Sequence, residues 1–434
     1  MKLLTSAPRG TQDILPKDSY KWRFVENLLL DQASKFQFKE IRTPVFEHTE
    51  LFLRSVGQDT DVVQKEMYTF LDKGNRSITL RPEGTAGAIR AMLEHNLCNE
   101  NLPVRLSYID SCYRYEKPQS GRWREFSQFG CEMIGSSDPL ADAEVISLCD
   151  SIFKRLSLNE TYIEINSVGC PKCRGKYYES LKEYFEKNKD SLCNTCLSRL
   201  ERNPMRILDC KKSDCLKIAE NAPSILDFLC SECKEHFEEV KKYLDVAEIK
   251  YNVNPKIVRG LDYYTKTVFE VISMHEGSKG LVCGGGGRYD NLVEELGGPP
   301  TPALGFGLGI GRILLAMGDL LNFIPQYKAC DVYFATLGEE AKTLAFQLAN
   351  ILRDSSFVVE CDTLNRKLKP QMKYADKIAA KFAIVLGEEE INSKKAKIKN
   401  MADSSEKPIS LDNDFLKEFF EIYTDFEKNK LLGN

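Results

Sequence analysis

Arg259, Asp262, Tyr263 and Tyr264 lie together in Arg259-Gly260-Leu261-Asp262-Tyr263-Tyr264-Thr265, and Gly284-Gly285-Gly286-Gly287-Arg288-Tyr289-Asp290 follows further along the chain. An arginine can hold a phosphate through two parallel hydrogen bonds. A tyrosine hydroxyl can read a polar ring. A run of glycines presents no side chain to obstruct a ligand. Val268, Phe269, Val271 and Ile272 favour a strand. Strands bordering this segment would project Arg259, Tyr263 and Tyr264 near one end of a sheet. Taken alone, the same residues also fit a well-packed hairpin whose tyrosines cover an edge and whose arginine is a surface charge.

A second group is Tyr113-Arg114-Tyr115-Glu116, a polar turn from Lys117 to Gly121, and Arg122-Trp123-Arg124-Glu125-Phe126. Side chains alternate along a strand, so Arg114 and Glu116 are expected on one face. One would hold a phosphate and the other accept from an exocyclic amine, while Phe126 on the returning strand stacks on a base. This describes an ATP site built on an antiparallel hairpin; the Gly-x-x-x-x-Gly-Lys loop is absent. A surface hairpin laced by weak Arg–Glu pairs is the alternative. A third group, Gly305-Phe306-Gly307-Leu308-Gly309-Ile310-Gly311-Arg312, spaces glycines every second residue. That leaves one face of a strand bare for a planar ligand or another backbone. Arg312 then opens a helix within reach of a polyphosphate tail; tight backbone packing explains the glycines equally.

The elements that must position these groups follow from patterning. Tyr20, Phe24, Leu28 and Leu29 mark a helix over 19–36. Pro44 forces an extended 42–46. Residues 86–97 read as helix, and Val104–Ile109 and Phe126–Ile134 as strands. Asp138-Pro139 opens a helix to Leu156. Strand patterns resume near Lys250, and Ala303–Leu315 runs from strand into helix. Beyond Ile324-Pro325 the order becomes strand (Asp331–Leu337), helix (Glu340–Asp354), strand (Phe357–Asp362), helix (370–380) and strand (Phe382–Leu386). That alternation predicts a small α/β domain with a largely parallel core.

The chain has 434 residues, enough for two or three domains, and its 42% hydrophobic content supplies sizeable cores. A net charge of −4 gives no global basic field, so any RNA contact must use local patches. No apolar run approaches the ~20 residues of a membrane span, and the N-terminus lacks the apolar core of a signal peptide. A soluble, cytoplasmic protein is expected. In that compartment fifteen cysteines indicate thiols or a metal rather than disulfides. Eight of them fall within 170–235. Three Cys-x-x-Cys pairs stand out: Cys170/Cys173, Cys193/Cys196 and Cys230/Cys233, with Cys210 and Cys215 as a looser pair. Two such turns brought together supply four thiolates in the tetrahedral arrangement of a structural Zn²⁺. The cysteines suffice for one ion or two; reduced, partly buried thiols are the alternative.

The three groups, in this order, resemble the three motifs of class II aminoacyl-tRNA synthetases, with Glu40–Phe52 and its Pro44 resembling the first, dimer-forming motif. Within that class the Arg259–Tyr264 stretch, Gly-Gly-Gly-Arg288-Tyr289-Asp290, Leu80-Arg81-Pro82-Glu83-Gly84-Thr85, Arg9-Gly10-Thr11-Gln12-Asp13 and Gln128-Phe129-Gly130-Cys131-Glu132 are similar to histidyl-tRNA synthetase. The resemblance implies an α/β protein. An α+β catalytic domain on an antiparallel sheet would span 1–325 with a cysteine-rich insertion at 170–250, and a smaller α/β anticodon-binding domain would span 328–434. It implies a homodimer that uses L-histidine, ATP with Mg²⁺, and tRNA(His), and no membrane.

The resemblance also implies roles. Arg114 and Arg259 hold the α-phosphate and are the catalytic pair. Glu116 accepts from the adenine amine, Phe126 stacks on the ring, and Arg122 and Arg312 cradle the outer phosphates. Glu83, Gly84, Thr85 and Gln128 take the amino end of histidine, Glu132 and Tyr264 its ring nitrogens, with Tyr263, Arg114 and Arg259 lining the same pocket. Gln119 reads the base before the CCA end, and Arg366, Lys367, Lys369 and Lys373 supply a basic face for the anticodon. In this family the insertion ordinarily carries no metal, so the chemistry is expected not to depend on one. Three rivals share parts of the pattern: the synthetase-like regulatory subunit of ATP phosphoribosyltransferase, a class II synthetase for proline, threonine or glycine, and a zinc-bearing RNA-binding protein. The Arg259–Tyr264 stretch and the C-terminal α/β pattern weigh against the first, the former against the second, and Arg114, Glu116, Phe126 and Arg312 against the third.

Overall fold

The computed structural model describes residues 4–57, 60, 62–99, 101–325 and 330–431. They form two compact units that divide between Ile324 and Pro325. The expected start of the C-terminal domain at 328 lies outside the described residues.

The first unit is built on an eight-stranded sheet: β1 (Lys39–Glu40), β5 (Val104–Tyr113), β6 (Glu125–Ile134), β7 (Thr161–Ser167), β8 (Tyr251–Val253), β9 (Thr265–Ser273), β10 (Val282–Arg288) and β11 (Ala303–Gly309). Their spatial order is β1-β5-β6-β11-β10-β9-β7-β8. The six central strands are antiparallel, and only the short outer strands β1 and β8 pair in parallel. A separate small sheet orders β2 (Phe46–His48), β4 (Ser77–Leu80) and β3 (Tyr68–Leu71); of these, only the extended approach to Phe46 was expected.

Alternation along the central strands divides the sheet into two unlike faces. On one, Phe129, Cys131 and Met133 of β6, Leu304, Phe306 and Leu308 of β11, and Phe269 and Val271 of β9 are buried together. Under them lie the helices Pro16–Lys35, Pro139–Arg155 and Ser231–Val246. Phe306 meets Phe129 and Phe269 at centroid separations of 6.0 and 6.3 Å. On the other face stand Gln128, Gly130 and Glu132 of β6 and Gly305, Gly307 and Gly309 of β11. The helix Pro139–Arg155 begins as its sequence dictates: Asp138 accepts from the Leu140 N–H at 2.8 Å and Pro139 occupies the first turn, where its missing donor costs nothing.

Within 170–250 the chain forms helices Pro171–Glu186, Asn194–Arg202, Ser213–Glu220 and Ser231–Val246. The last belongs to the main core through Phe237, Val240 and Leu244. The others share a second core with Ile89, Tyr263, Tyr264 and Tyr289.

The C-terminal unit orders β13 (Val359–Cys361), β12 (Val332–Thr336), β14 (Phe382–Leu386), β15 (Lys395–Asn400) and β16 (Glu406–Ser410) in one sheet. The three expected strands are parallel, joined by helices Glu339–Asp354 and Leu368–Lys377. β15 and β16 add an antiparallel edge that the sequence reading missed. Their Lys-rich alternation, with only Ala396, Ile398 and Ile409 buried, gives a weak strand signal.

Arg288 is the largest wholly buried side chain. Its guanidinium pairs with Asp142, reaches the Asp290 carboxylate at 3.1 Å and donates to the Ser136 carbonyl at 2.7 Å. Burial works against a charged Asp142, but Arg288 and His236 hold its carboxyl below the usual range. Removing one partner of a buried pair leaves the other charge uncompensated. Arg288→Met is therefore expected to destabilise the first unit by about 3–5 kcal/mol, read from the urea midpoint, with Arg288→Met/Asp142→Leu recovering part of that loss.

Candidate functional site

A row of cross-strand partners explains the glycines. Tyr108 pairs with Gly130, Gly130 with Gly307, Gly307 with Gly285, and Gly285 with Glu270. Between Tyr108 and Glu270 the sheet thus presents a floor of three glycines. The bare face expected of the glycine-spaced strand is only partly bare. A Cβ on Gly305 would lie 1.9 Å from Glu132 Oε2, and one on Gly307 2.5 Å from Gln128 Nε2. The glycines of β11 make room for the carboxylate and amide of β6. Gly84 and Gly130 do the same for Tyr108, whose ring would lie 2.2 Å from a Cβ at either.

Glu132 stands beside this floor, opposite Leu106 and Gly305, and is 1% exposed. Its Oε1 accepts from Thr85 Oγ1 and Tyr108 OH, both at 2.8 Å, and its Oε2 accepts from Tyr289 OH. Burial pushes the Glu132 carboxyl up to about 8, against the three hydroxyl donors and with the nearby Glu83 adding to the rise. Burial and then the Glu132 charge push Tyr108 and Tyr289 well above the usual phenol range, so both stay O–H donors. Glu83, 2% exposed, accepts the N–H groups of Thr85 and Ala86 at 2.7 and 2.9 Å. It thereby caps the helix Thr85–Glu94, leaving each oxygen a further lone pair. The Gly84 N–H donates to Gln128 Oε1 at 3.1 Å. Pairing of Glu83 with Arg81 does not occur: Arg81 is bound to Asp110 at 2.9 Å. Tyr108 and Tyr289 were not singled out as site residues, although Tyr289 stands two positions after the glycine run.

The hairpin strands run beyond the expected 104–109 and 126–134, yet stop short of Arg114. β5 ends at Tyr113 and β6 begins at Glu125, so Arg114 and Glu116 lie beyond the strand and its alternation does not place them. What places Arg114 is a hydrogen bond from its Nε to the Pro82 carbonyl at 2.8 Å; its guanidinium lies 5.4 Å from the Phe126 ring centroid. Arg122 pairs with Glu116 at 3.5 Å. Arg312, in the first turn of helix Ile310–Met317, donates to the carbonyls of Gly121 and Val282 at 3.0 and 2.9 Å. Burial, then the positive charge of Arg122, press Arg312 below its ordinary value; Glu116 opposes and Arg114 adds to the fall. The arginines are thus close enough to repel one another, which is the electrostatic setting an oligoanion relieves. Gln119 is exposed at the tip of the turn, its backbone exchanging hydrogen bonds with Arg122. The N-terminal segment joins the same loop: the Arg124 N–H donates to the Gly10 carbonyl at 2.7 Å.

Arg259 adopts a left-handed backbone with φ 56°. Its guanidinium pairs with Glu270 at 2.6 Å and lies 5.7 Å from the Tyr264 ring centroid, while its Nε is buried without a partner. A Cβ on Gly285 would approach it to 3.0 Å. Glu270 was not expected; its signal is the lone carboxylate of β9, set within the apolar run Val268–Ile272. Tyr263 packs against Tyr264 and Tyr289 at centroid separations of 4.7 and 5.4 Å. The structure therefore brings Tyr263 and Tyr264 into one core with Tyr289, and Tyr289 to Glu132.

The cysteines regroup. Two of the three Cys-x-x-Cys pairs converge and the third does not join them. Cys170, Cys173, Cys230 and Cys233 form one set, and Cys193 and Cys196 join Cys210 and Cys215 in another. Cys210 and Cys215, expected only as a looser pair, complete a second tetrad. Either set has the donors to hold a metal ion.

Comparison with known proteins places these features in a family. The family described as Histidyl-tRNA synthetase matches residues 10–313, and the family described as Anticodon binding domain matches 331–419. A histidine–tRNA ligase of Caldanaerobacter subterraneus is 54% identical over 410 residues, covering 94% of this chain and 98% of the relative. One from Clostridium novyi is 52% identical over 407 residues, covering 94% and 97%. The crystal structure of apo S. aureus histidyl-tRNA synthetase aligns with a TM-score of 0.80 at 42% identity, over 96% of this chain and all of that one.

Glu132 also makes a stability prediction. A carboxyl whose pKa is raised by folding keeps its proton in the native state while the unfolded chain loses it, so stability falls as pH rises from about 4.5 to about 8. Glutamine imitates the protonated form. Glu132→Gln is expected to match the wild-type melting temperature near pH 5 and to exceed it increasingly toward pH 8; parallel melting temperatures across that range would refute the buried-carboxyl assignment.

Proposed function

The chain belongs to the histidyl-tRNA synthetase family, and on that premise we infer that it attaches L-histidine to tRNA(His) through a histidyl-adenylate. A carboxylate oxygen of histidine attacks the α-phosphorus of ATP as the bond to pyrophosphate breaks. A ribose hydroxyl at the tRNA 3′ end then attacks the adenylate carbonyl and AMP leaves. ATP arrives with Mg²⁺. The first step is an in-line displacement, so the protein contributes position and charge.

Arg114 and Arg259 would hold the α-phosphate and share the charge that develops there. The mutual repulsion of Arg312, Arg122 and Arg114 supports a polyphosphate site, with Arg122 and Arg312 on the outer phosphates. Glu116 would accept from the adenine amine and Phe126 stack on the ring. The single observation that carries histidine recognition is Glu132. Three hydroxyls leave one direction on Oε2, which would meet a ring nitrogen of the substrate, donating to the bare nitrogen while Glu132 keeps its proton and accepting the ring N–H once it is ionised. Tyr264 would address the other ring nitrogen, with Tyr263 lining the pocket. The remaining lone pairs of Glu83, with Gly84, Thr85 and Gln128, would take the ammonium. A side chain lacking both ring nitrogens would leave these buried groups unpaired, which supports rejection by ~10⁴ or more without editing.

We assign the catalytic domain to 1–325, with the insertion at 170–250, and the anticodon-binding domain to 328–434, where Arg366, Lys367, Lys369 and Lys373 would face the tRNA. Gln119, exposed on the turn, would meet its acceptor end. Exposed Val45, Phe46, Phe70 and Leu71 on and beside the small sheet support a homodimer through the segment containing Glu40–Phe52. Among the described residues no helix is long and apolar enough to cross a membrane; we place the protein in the cytoplasm. The thiols of the insertion fit structural Zn²⁺, outside the chemistry of the reaction.

Histidine alone among the twenty amino acids should support ATP–pyrophosphate exchange; exchange with another amino acid would overturn the pocket assignment. Glu132→Gln should raise KM for histidine by on the order of 10- to 100-fold, the worth of a hydrogen bond to a charged group, and leave KM for ATP within twofold. Arg259→Gln should lower the exchange rate about 100- to 1,000-fold, by analogy with loss of one aimed charge stabiliser.

A further inference from the structure

Three of the cysteine pairs are built the same way. Cys170, Cys193 and Cys230 each precede the first residue of a helix, and Cys173, Cys196 and Cys233 lie in its first turn. Cys215 lies in the first turn of a fourth helix. Helix N-termini favour the thiolate over the thiol. Backbone donors point at sulfur as well: the Cys230 N–H reaches Cys173 Sγ at 3.1 Å, and the Cys193 N–H reaches Cys215 Sγ at 3.3 Å. Within each tetrad all four sulfurs lie within 4.8 Å of one another. Cys170 Sγ is 3.6 Å from Cys173 Sγ and 3.9 Å from Cys230 Sγ, and Cys193 Sγ is 4.0 Å from Cys210 Sγ. Four sulfurs ~2.3 Å from a tetrahedral ion would be ~3.8 Å apart. Four soft ligands leave no open coordination position, which suits a structural rather than a catalytic ion.

Both tetrads adjoin the segment 260–264. Arg174, next to Cys173, donates to the Tyr264 carbonyl. Glu232, between Cys230 and Cys233, pairs with Lys266 at 3.2 Å. Arg206, between Cys196 and Cys210, binds Asp262 at 2.7 Å and the Gly260 carbonyl at 3.0 Å, and Asn203 reaches Asp262 at 3.3 Å. Tyr263 and Tyr264 share their apolar core with Tyr177, Leu181 and Cys196 of the insertion.

We propose that the insertion holds two tetrathiolate Zn²⁺ ions, one on Cys170, Cys173, Cys230 and Cys233 and one on Cys193, Cys196, Cys210 and Cys215, and that together they fix segment 260–264 in the form that receives histidine. The second half rests on the reading of that segment as part of the histidine pocket. No step of the reaction passes through the metal. The ions act through position: each pins a cluster of helix starts whose side chains grip the segment from outside. Arg174 and Arg206 are positioning residues.

Protein purified under reducing conditions should contain two zinc ions per chain by elemental analysis, and one in Cys193→Ser/Cys196→Ser; a content of zero or one in the unaltered protein overturns the two-ion assignment. Removal of zinc with a chelator should increase hydrogen exchange across 260–264, and added Zn²⁺ should restore protection; unaltered exchange overturns the clamp. Arg206→Ala, which touches no cysteine, should keep both ions and raise KM for histidine about tenfold while KM for ATP stays within twofold. If the unaltered protein activates histidine and Arg206→Ala leaves that KM unchanged, the clamp fails alone. If the unaltered protein activates a different amino acid, the histidine pocket fails, and the zinc count still decides the metal sites.

Discussion

A carboxylate held at the centre of a sheet face, away from water, must have its oxygens satisfied by donors whose positions are fixed. Glu132 meets that requirement through Thr85 at the start of a helix, Tyr108 on β5 and Tyr289 beyond β10. Each donor imposes a further condition. Tyr108 fits only because Gly84 and Gly130 lack a side chain, and the carboxylate fits only because Gly305 does. Two glycines of the central strands, Gly130 and Gly305, and Gly84 before the helix thus follow from burying this one acid. The same arrangement ties together three segments far apart in the chain, so the proposed histidine pocket and the fold around it form or fail together.

The rest of the sheet keeps unlike chemistry apart by strand alternation. Odd-numbered positions of β6 and even-numbered positions of β11 build the apolar core, while their neighbours face the site. Buried ion pairs are placed where they anchor rather than react. Arg288 and Asp142 tie the end of β10 to the helix Pro139–Arg155, and Arg81 and Asp110 tie the end of β4 to β5. The arginines of the hairpin loop are different in kind. Arg312 is half-buried beside other cations and depends on a carbonyl pair rather than a carboxylate, an arrangement in which an anion would relieve the repulsion.

The cysteine-rich insertion packs against segment 260–264, which the proposed histidine pocket uses. Its side chains share the apolar core around Tyr263 and Tyr264, and Arg206 binds the Gly260 carbonyl and the Asp262 carboxylate just before them. The thiol tetrads occur where helices of the insertion begin, so the spacing that makes a good helix start also makes a good metal-binding turn.

The sequence by itself determined the class of fold, the order of the motifs and most of the candidate site residues, because these are written in local patterns: period-two alternation on β6 and β11, Asp138-Pro139 at a helix start, and arginines and glycines at fixed spacing. It did not place Arg114 and Glu116 correctly, since the strand ends at Tyr113 and a hydrogen bond to the distant Pro82 carbonyl sets the arginine instead. It could not identify Tyr108, Tyr289 or Glu270 as partners, because each meets its counterpart across strands that are remote in sequence. Nor could it sort eight cysteines into two tetrads, since the spacing of Cys-x-x-Cys fixes each pair but not which pairs meet. Only tertiary structure decided those matters, because a buried charge or a soft ligand set is satisfied by whatever the fold brings within a few ångströms, and that proximity is a property of the packed sheet and helices rather than of any one segment.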